Sequence, residues 1–121
     1  MASFSNVKEI STAADVTPLV AAGKVVLFFW AEWHEPSRVG GQMHNVVRAL
    51  ASKYPSVTFA VIEAEAVPEA SQEYEVKVVP TFVCVEKGQV FNKYEGTNPP
   101  EINSMVKAFS EAAAPQNVIN Y

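Results

Sequence analysis

The sequence predicts an α/β domain in which a central mixed sheet of about five strands carries helices on both faces. The continuously apolar run Val25–Trp30 is typical of a strand that is covered on both sides. A second run, Val57–Ile62, is rich in β-branched and aromatic residues and favours another buried strand. Segments with helical periodicity lie between and after these runs, which favours parallel strands joined by right-handed crossovers. Two later strands flank the short connection Glu86–Gly88, which indicates an antiparallel hairpin.

The first elements are a weak strand from Phe4 to Ile10, a short helix and the central strand. We expect the helix to begin at Thr17 with Pro18 in its first turn, or to bend there, and to stop at Gly23. The next helix is amphipathic and ends at Pro55. Its apolar stripe consists of Met43, Val46, Val47, Leu50, Ala51 and Tyr54.

The second half begins with a strand and a short helix, which has Pro68 in its first turn and runs to about Glu75. Thr81–Val85 and Gln89–Tyr94 are the two hairpin strands.

A final helix starts after Asn98, which can cap it, and Glu101 completes a capping-box pattern. Its buried stripe is Ile102, Met105, Val106 and Phe109. We therefore expect a domain over residues 1–114 and a tail or linker over residues 115–121.

Composition and net charge limit the number of domains and the kinds of partner that we expect. The chain has 121 residues, of which 49% are hydrophobic and 18% charged, so it fits one domain that buries roughly two-thirds of its unfolded surface. Nine basic and thirteen acidic residues give a net charge of −4. Because the basic residues are scattered, we expect no nucleic-acid partner. We expect no membrane partner either.

The longest apolar run, Val25–Ala31, is too short to span a membrane. The start of the sequence lacks the basic and apolar regions of a signal peptide. The single cysteine, Cys84, cannot form a disulfide within the chain. These features predict a monomeric domain in the cytoplasm, with the nucleus as an alternative compartment.

The most distinctive segment is Trp33-His34-Glu35-Pro36-Ser37, which follows the central strand, together with the later pair Val79-Pro80. The segment resembles the active-site turn of the thioredoxin family, in which Trp-Cys-Gly-Pro-Cys leads from a buried strand into a helix. His34 and Ser37 stand where that family has its cysteines. The resemblance extends from about residue 3 to residue 114. It implies the thioredoxin fold, with Pro80 as a cis-proline beside the turn.

These replacements remove the chemistry of disulfide exchange. Exchange requires a thiolate, a second thiol that resolves the mixed disulfide, and a setting that lowers the pKa of the first thiol. An imidazole and a hydroxyl supply none of these. By the same resemblance, the buried acid and lysine that assist proton transfer in the family correspond to Phe28 and Val61. No catalytic residue is therefore assigned, and His34 and Ser37 are degenerate positions.

The segment between Ser37 and Met43 is about three residues longer than in the thioredoxin pattern when the helix stripes are aligned. It contains Gly40 and Gly41, and a glycine inside a helix costs roughly 1 kcal/mol relative to alanine. We expect an enlarged turn, with regular helix starting nearer Gly41 than Pro36. Whether Ser37 occupies the place of the second cysteine stays open at this point.

A narrower resemblance lies between Phe59 and Phe82. The fragments Ile62–Glu65, Val67–Glu69, Tyr74–Val76 and Val79–Phe82 are similar to the N-terminal thioredoxin-like domain of PICOT-type monothiol glutaredoxins. The resemblance implies a redox-inactive domain, itself without enzymatic activity, of a protein involved in redox and iron-sulfur homeostasis. It also implies that a 2Fe-2S cluster and glutathione belong to a separate glutaredoxin domain, with no cofactor or metal here.

The thioredoxin resemblance further implies a protein-binding groove between the turn and the cis-proline, where thioredoxins bind extended peptides by strand addition. Its members would be Trp33, His34, Glu35, Pro36, Ser37, Val79, Pro80 and Gly96. The alternative function is a thiol-disulfide oxidoreductase that acts through Cys84, alone or with a thiol of a partner protein.

Several of these residues also have plainer interpretations. Cys84 lies in an apolar strand, where cysteine commonly acts as a small hydrophobe. His34 with Glu35 could hold a metal or exchange protons, but closed zinc sites need four ligands, so a solvated surface or a partner contact is favoured. Trp33 either packs locally or recognises a partner. A cluster of carboxylates, favoured as a solvated face over a site for a basic partner, comprises Glu63, Glu65, Glu69, Glu73 and Glu75.

Overall fold

A computed structural model describes residues 6 to 112 of the chain. The elements are β1 (Val7–Ile10), α1 (Val16–Ala22), β2 (Lys24–Trp30), α2 (Gln42–Lys53), β3 (Thr58–Glu63), α3 (Pro68–Glu73), β4 (Thr81–Glu86), β5 (Gln89–Glu95) and α4 (Pro99–Glu111), with a 3-10 turn (Ala13–Asp15) before α1. The predicted order of strands and helices is confirmed. Phe4 and the tail over residues 115–121 lie outside the described residues, so the domain division stays a prediction.

The five strands form one mixed sheet in the order β1-β3-β2-β4-β5. β2 lies at its centre, parallel to β3 and antiparallel to β4, as its continuously apolar sequence predicts. The β4–β5 hairpin turns through Lys87 and Gly88, whose φ angles are 52° and 81°. Two consecutive residues with positive φ are the geometry of the tight hairpin turn that matches the strand twist.

Successive side chains of each strand point to opposite faces of the sheet, so a hydrophobic core lies on each face. On one face, strand residues that include Phe28, Phe59 and Cys84 pack against α2 and α4. On the other, strand residues that include Leu27 and Phe29 pack against α1, α3 and the 3-10 turn. The three-layer arrangement confirms the predicted fold and leaves the carboxyl end of β2 pointing at the turn that begins with Ala31.

The enlarged turn before α2 is confirmed. Gly41 is the N-cap residue and α2 begins at Gln42. A Cβ atom at Gly41 would lie 2.4 Å from the Glu35 carbonyl oxygen and 2.8 Å from that of Pro36. Glycine is therefore required where the chain crosses its own turn.

Several predicted boundaries need correction. α1 begins at Val16 rather than Thr17, which still keeps Pro18 in the first turn, where its missing N–H has no helical partner. α3 ends at Glu73 rather than Glu75, since Glu75 adopts a φ of 55°. The strands β4 and β5 each extend one residue further than predicted.

The predicted capping box of α4 is only half formed. The Glu101 N–H donates to Asn98 Oδ1 over 3.1 Å, as predicted. The Asn98 N–H instead donates to the Tyr94 hydroxyl over 3.3 Å, so a tyrosine from β5 supplies the other half of the cap. None of the helices between residues 6 and 112 is both long and apolar enough to cross a bilayer.

Candidate functional site

The chain leaves β2 through a compact turn held by its own backbone. The His34 N–H donates to the Ala31 carbonyl over 3.1 Å, and the Arg38 N–H donates to the His34 carbonyl over 2.9 Å. Farther along, the Met43 N–H donates to the Pro36 carbonyl over 2.9 Å, which ties the start of α2 to the turn. The turn is thus held by backbone hydrogen bonds, although its sequence contains no cysteine.

The side chains at the two degenerate positions contact each other. His34 Nδ1 and Ser37 Oγ lie 2.8 Å apart, and the Ala31 N–H donates to the same Oγ over 3.4 Å. Ser37 is 0% exposed. Despite the longer turn, Ser37 therefore lies against position 34. Its placement on the partner-binding surface was wrong: because its hydroxyl is enclosed by the turn, it supports the surface from below.

Trp33 projects from the turn and is 66% exposed. Its Nε1–H donates to Glu65 Oε2 over 3.0 Å, and its ring meets the His34 ring edge to face at a centroid distance of 5.9 Å. A hydrogen bond and one ring contact hold the indole in place while most of its surface stays open to solvent. Such a rigid exposed aromatic is suited to recognition.

A shallow cavity of about 190 Å³ joins the turn to the segment before β4. Ala31, Trp33, Glu65, Val78 and Val79 are among the residues that line it. The Val79–Pro80 peptide bond is cis, as the resemblance implies. The candidate groove therefore has the tryptophan on one side and the segment leading to the cis-proline on the other.

The other predicted groove residues differ in position. Pro80 is buried, and its carbonyl accepts a hydrogen bond from the Gly96 N–H over 3.3 Å. A Cβ atom at Gly96 would lie 2.9 Å from the Tyr94 hydroxyl oxygen, so Gly96 and Pro80 form the base beside the groove. Glu35 and Pro36 are exposed on the turn, where Glu35 pairs with Arg38 over 3.5 Å; an exposed pair of this kind contributes little.

Sequence reasoning missed two groove residues. Val78 is 49% exposed, although it begins the apolar run Val78-Val79-Pro80, which is typical of a buried segment. Glu65 was grouped with a solvated acidic face, but its carboxylate accepts the Trp33 hydrogen bond. The other members of that cluster, Glu63, Glu69, Glu73 and Glu75, are half-buried or exposed. Trp33 and Glu65 are 32 residues apart, so no local sequence pattern indicates that their side chains form a hydrogen bond.

The positions of the family's proton-handling pair are apolar and adjacent. Phe28 and Val61 are direct partners in the β2–β3 register and both are buried. The Phe28 ring stacks on Phe82 at a centroid distance of 4.9 Å and meets the His44 ring edge to face at 5.0 Å. The space beneath the turn is filled by packed rings.

His44 is a further buried polar residue that the sequence did not single out as a site. It lies one residue beyond Met43 in α2 and is 8% exposed. Burial, and then the positive charge of Arg48, lower its pKa below the usual value of 6.5, against smaller opposing effects from a backbone hydrogen bond at Ser37 and from Glu9. Among residues 6 to 112, His44 Nε2 has no hydrogen-bond partner.

Cys84 lies on β4 in the core shared with α2 and α4 and is 0% exposed. Burial raises its pKa to about 12, against a smaller lowering by Lys24. The thiol is therefore protonated and enclosed at neutral pH, and the predicted core role is confirmed. Within the part of the chain that the structure describes, no three histidine, cysteine or acidic side chains are grouped as a metal site.

The thioredoxin family profile matches residues 7–108, and the chain belongs to that family. It is 32% identical over 116 residues to human glutaredoxin-3, covering 93% of this chain and 34% of the relative. It is 35% identical over 119 residues to monothiol glutaredoxin-S17 of Arabidopsis thaliana, covering 93% and 24%. The resemblance to the PICOT-type proteins is thus confirmed as homology, and the chain spans about a third or less of their length.

Solved structures confirm the fold. Mitochondrial thioredoxin 3 of Saccharomyces cerevisiae has a TM-score of 0.76 and 27% identity, covering 88% of this chain and 98% of its own. Thioredoxin of Trypanosoma brucei brucei has a TM-score of 0.80 at 20% identity, covering 92% and 96%. At that lower identity the likeness speaks for the fold only.

Proposed function

We propose that this domain is a redox-inactive thioredoxin-like module that binds an extended segment of a partner protein. The groove lies between the Trp33 turn and the segment ending in Val79-Pro80. The observation that carries the proposal is the contact between His34 and Ser37, whose side-chain atoms lie 2.8 Å apart. The turn keeps its shape without cysteines, so the surface for partner binding is present although the thiols for disulfide exchange are absent.

The same geometry opposes thiol catalysis. The chain has one cysteine, and an enclosed thiol with a pKa of about 12 supplies almost no thiolate near neutral pH. Beneath the turn, Phe28 and Val61 offer no group that can accept or donate a proton. A thiol-disulfide oxidoreductase would require an accessible thiolate, and the described residues contain no exposed cysteine.

Three features favour peptide binding. Trp33 presents a broad apolar surface that is already fixed by its hydrogen bond to Glu65, so little side-chain entropy is lost on binding. Val78 adds a second exposed apolar side chain across the cavity. The backbone around Val79 lies at the end of a sheet strand, where an extended segment can be bound through main-chain hydrogen bonds.

The wider context is also proposed from the relatives. We infer that the domain serves a monothiol glutaredoxin in redox and iron-sulfur homeostasis, in the cytoplasm or the nucleus. A 2Fe-2S cluster and glutathione would bind in a glutaredoxin domain. The residues described here do not fit such a cluster, because the only thiol of the chain is buried inside the sheet.

Affinity purification from a cytoplasmic extract, with quantitative mass spectrometry, tests the groove. Trp33→Ala and Val78→Asp should each lose a shared set of partners that the unmodified domain retains. Val90→Ala is the matched control, because Val90 is also an exposed apolar residue but lies on β5. If Trp33→Ala retained the same partners as Val90→Ala, the groove would not be the binding surface.

The alternative, an oxidoreductase that uses Cys84, has a direct assay. We expect no reduction of a disulfide substrate with dithiothreitol or glutathione as electron donor. Turnover that disappears in Cys84→Ser, with the fold intact by circular dichroism, would establish the enzyme and overturn the redox-inactive proposal.

A further inference from the structure

A second cavity, of about 570 Å³, lies at the edge of the sheet between β1, β3 and α2. Its apolar lining includes Val7, Trp30, Val47, Val61 and Val67. None of its lining residues lines the groove beside Trp33. The volume lies within the range of small-molecule sites, which are mostly apolar with a few placed polar groups.

One of those polar groups is His44, which lines this cavity. It is more than nine-tenths buried, and its Nε2 has no hydrogen-bond partner among the described residues. A buried polar atom without a partner costs about 1–3 kcal/mol. Because burial keeps the imidazole neutral, Nε2 can accept or donate a hydrogen bond according to the tautomer. Less than 1 Å² of that atom's surface is accessible, so the imidazole forms part of the cavity wall and does not present Nε2 to a ligand.

The charges around the cavity indicate which ligand it would take. Glu9 and Glu63 line it, and neither has an ion-pair partner within 4.0 Å among residues 6 to 112. Arg48 also lines it, but its guanidinium donates to the Asn45 side chain. The two carboxylates therefore outnumber the one cation, which favours a positively charged ligand.

We propose that this cavity is a binding site for a small organic cation with an aromatic or branched aliphatic body. The body would pack against Trp30 and the valines, where a cation near the indole face also gains a cation–π interaction. The ammonium group would face Glu63 or Glu9. This site is separate from the protein-binding groove and does not depend on it.

Trp30 reports on the site. The chain has two tryptophans, so Trp33→Phe leaves Trp30 as the only one. In the Trp33→Phe protein, the Trp30 fluorescence should change as phenethylammonium is added and should reach a plateau. The anion 3-phenylpropionate, of similar size, should bind at least about tenfold more weakly, because two carboxylates line the site.

Variants separate specific binding from general adsorption. Glu63→Gln should weaken the binding of phenethylammonium about fivefold by removing one unpaired charge. Glu69→Gln is the matched control: this carboxylate is exposed on α3 and does not line the cavity.

Three outcomes would overturn the proposal. They are an absence of saturable binding up to about 10 mM phenethylammonium, equal affinity for the cation and the anion, and equal weakening in Glu63→Gln and Glu69→Gln. None of these results bears on the Trp33 groove. Failure of this proposal is therefore distinguishable from failure of the proposed protein-binding function.

Discussion

Burial governs the ionisation of two titratable side chains in the core between the sheet and α2. They are Cys84 on β4 and His44 on α2. The first is enclosed by apolar side chains that leave the thiol no exposed surface. The second lies between the rings of Phe28 and Trp30, at centroid distances of 5.0 and 5.2 Å. In both cases the low-dielectric surroundings favour the neutral form.

For Cys84, we expect modification by a bulky thiol reagent to be at least about a thousandfold slower in the native protein than in denaturant, because the thiol reacts only after unfolding. Absorbance of the released chromophore measures the rate. Cys84→Ala, which has no thiol, provides the blank. Rapid modification of the folded protein would contradict the core role.

For His44, we expect the free energy of unfolding to decrease as the pH falls below 6.5. The folded-state pKa is depressed, so the unfolded state takes up the proton first and gains stability relative to the folded state. The contribution is complete above the unfolded value and is lost as the pH falls through the folded one.

Urea denaturation between pH 7.5 and pH 5 measures this effect. His44→Phe should show a smaller decrease than the unmodified protein, and the comparison is matched because His34 is present in both. An identical decrease in the two proteins would show that His44 does not contribute to it.

At the scale of elements, the turn before α2 decides the shape of the candidate groove. Gly41 lets the chain pass the carbonyl oxygens of Glu35 and Pro36, and α2 starts directly after it. A helix that began at Pro36 would carry two glycines in its first turns. The sequence thus favours a wide turn and a later helix start.

Gly41→Ala should destabilise the domain by about 1–3 kcal/mol, because its Cβ atom would overlap backbone that cannot move aside independently. Gly23→Ala is the control, since no atom lies within 4 Å of a Cβ built there. Chemical denaturation of both variants gives the difference. An equal effect of the two substitutions would show that the turn relaxes freely around position 41.

At the scale of the whole molecule, the mixed sheet brings together segments that are far apart in sequence. The turn after β2 and the Val79-Pro80 segment before β4 meet because β2 and β4 are neighbouring antiparallel strands. Beneath them the β2–β3 register pairs Phe28 with Val61. The fold therefore preserves the shape of a thioredoxin site, with two apolar side chains at the positions of the family's proton-transfer pair.

The double substitution His34→Cys and Ser37→Cys tests this separation of shape from chemistry. The two side chains already contact each other, so a disulfide should form. We expect insulin reduction at least about tenfold slower than by an ordinary thioredoxin, because proton transfer by a placed acid or base commonly contributes a hundredfold or more. Activity equal to that of a thioredoxin would show that Phe28 and Val61 are not limiting.

Much of the fold could be predicted from local sequence. Continuous apolar strands, the α2 stripe from Met43 and the Gly-containing hairpin each reflect a periodicity or a backbone preference that a few neighbouring residues define. The start of α2 near Gly41 and the burial of Cys84 were predicted in the same way. The absence of the two thiols could also be read directly at positions 34 and 37.

Contacts between distant segments could not be predicted in this way. The Trp33–Glu65 hydrogen bond, the Tyr94 contact with the α4 cap and the packing of His44 against Phe28 depend on strand register and on the direction of each side chain. The burial of Ser37 depends likewise on how the turn closes over its hydroxyl. No short stretch of sequence specifies these distances.

The sequence by itself therefore determined the α/β class, the order of the elements and the absence of cysteines at positions 34 and 37, because these follow from local periodicity and residue identity. Only the tertiary structure decided that the side chains of His34 and Ser37 contact each other and that most of the Trp33 side chain is exposed to solvent. It also decided that the imidazole of His44, whose Nε2 has no partner among the described residues, borders a second cavity. The physical reason is that burial and hydrogen-bond pairing belong to a residue's surroundings, which the folded sheet assembles from segments far apart in the chain.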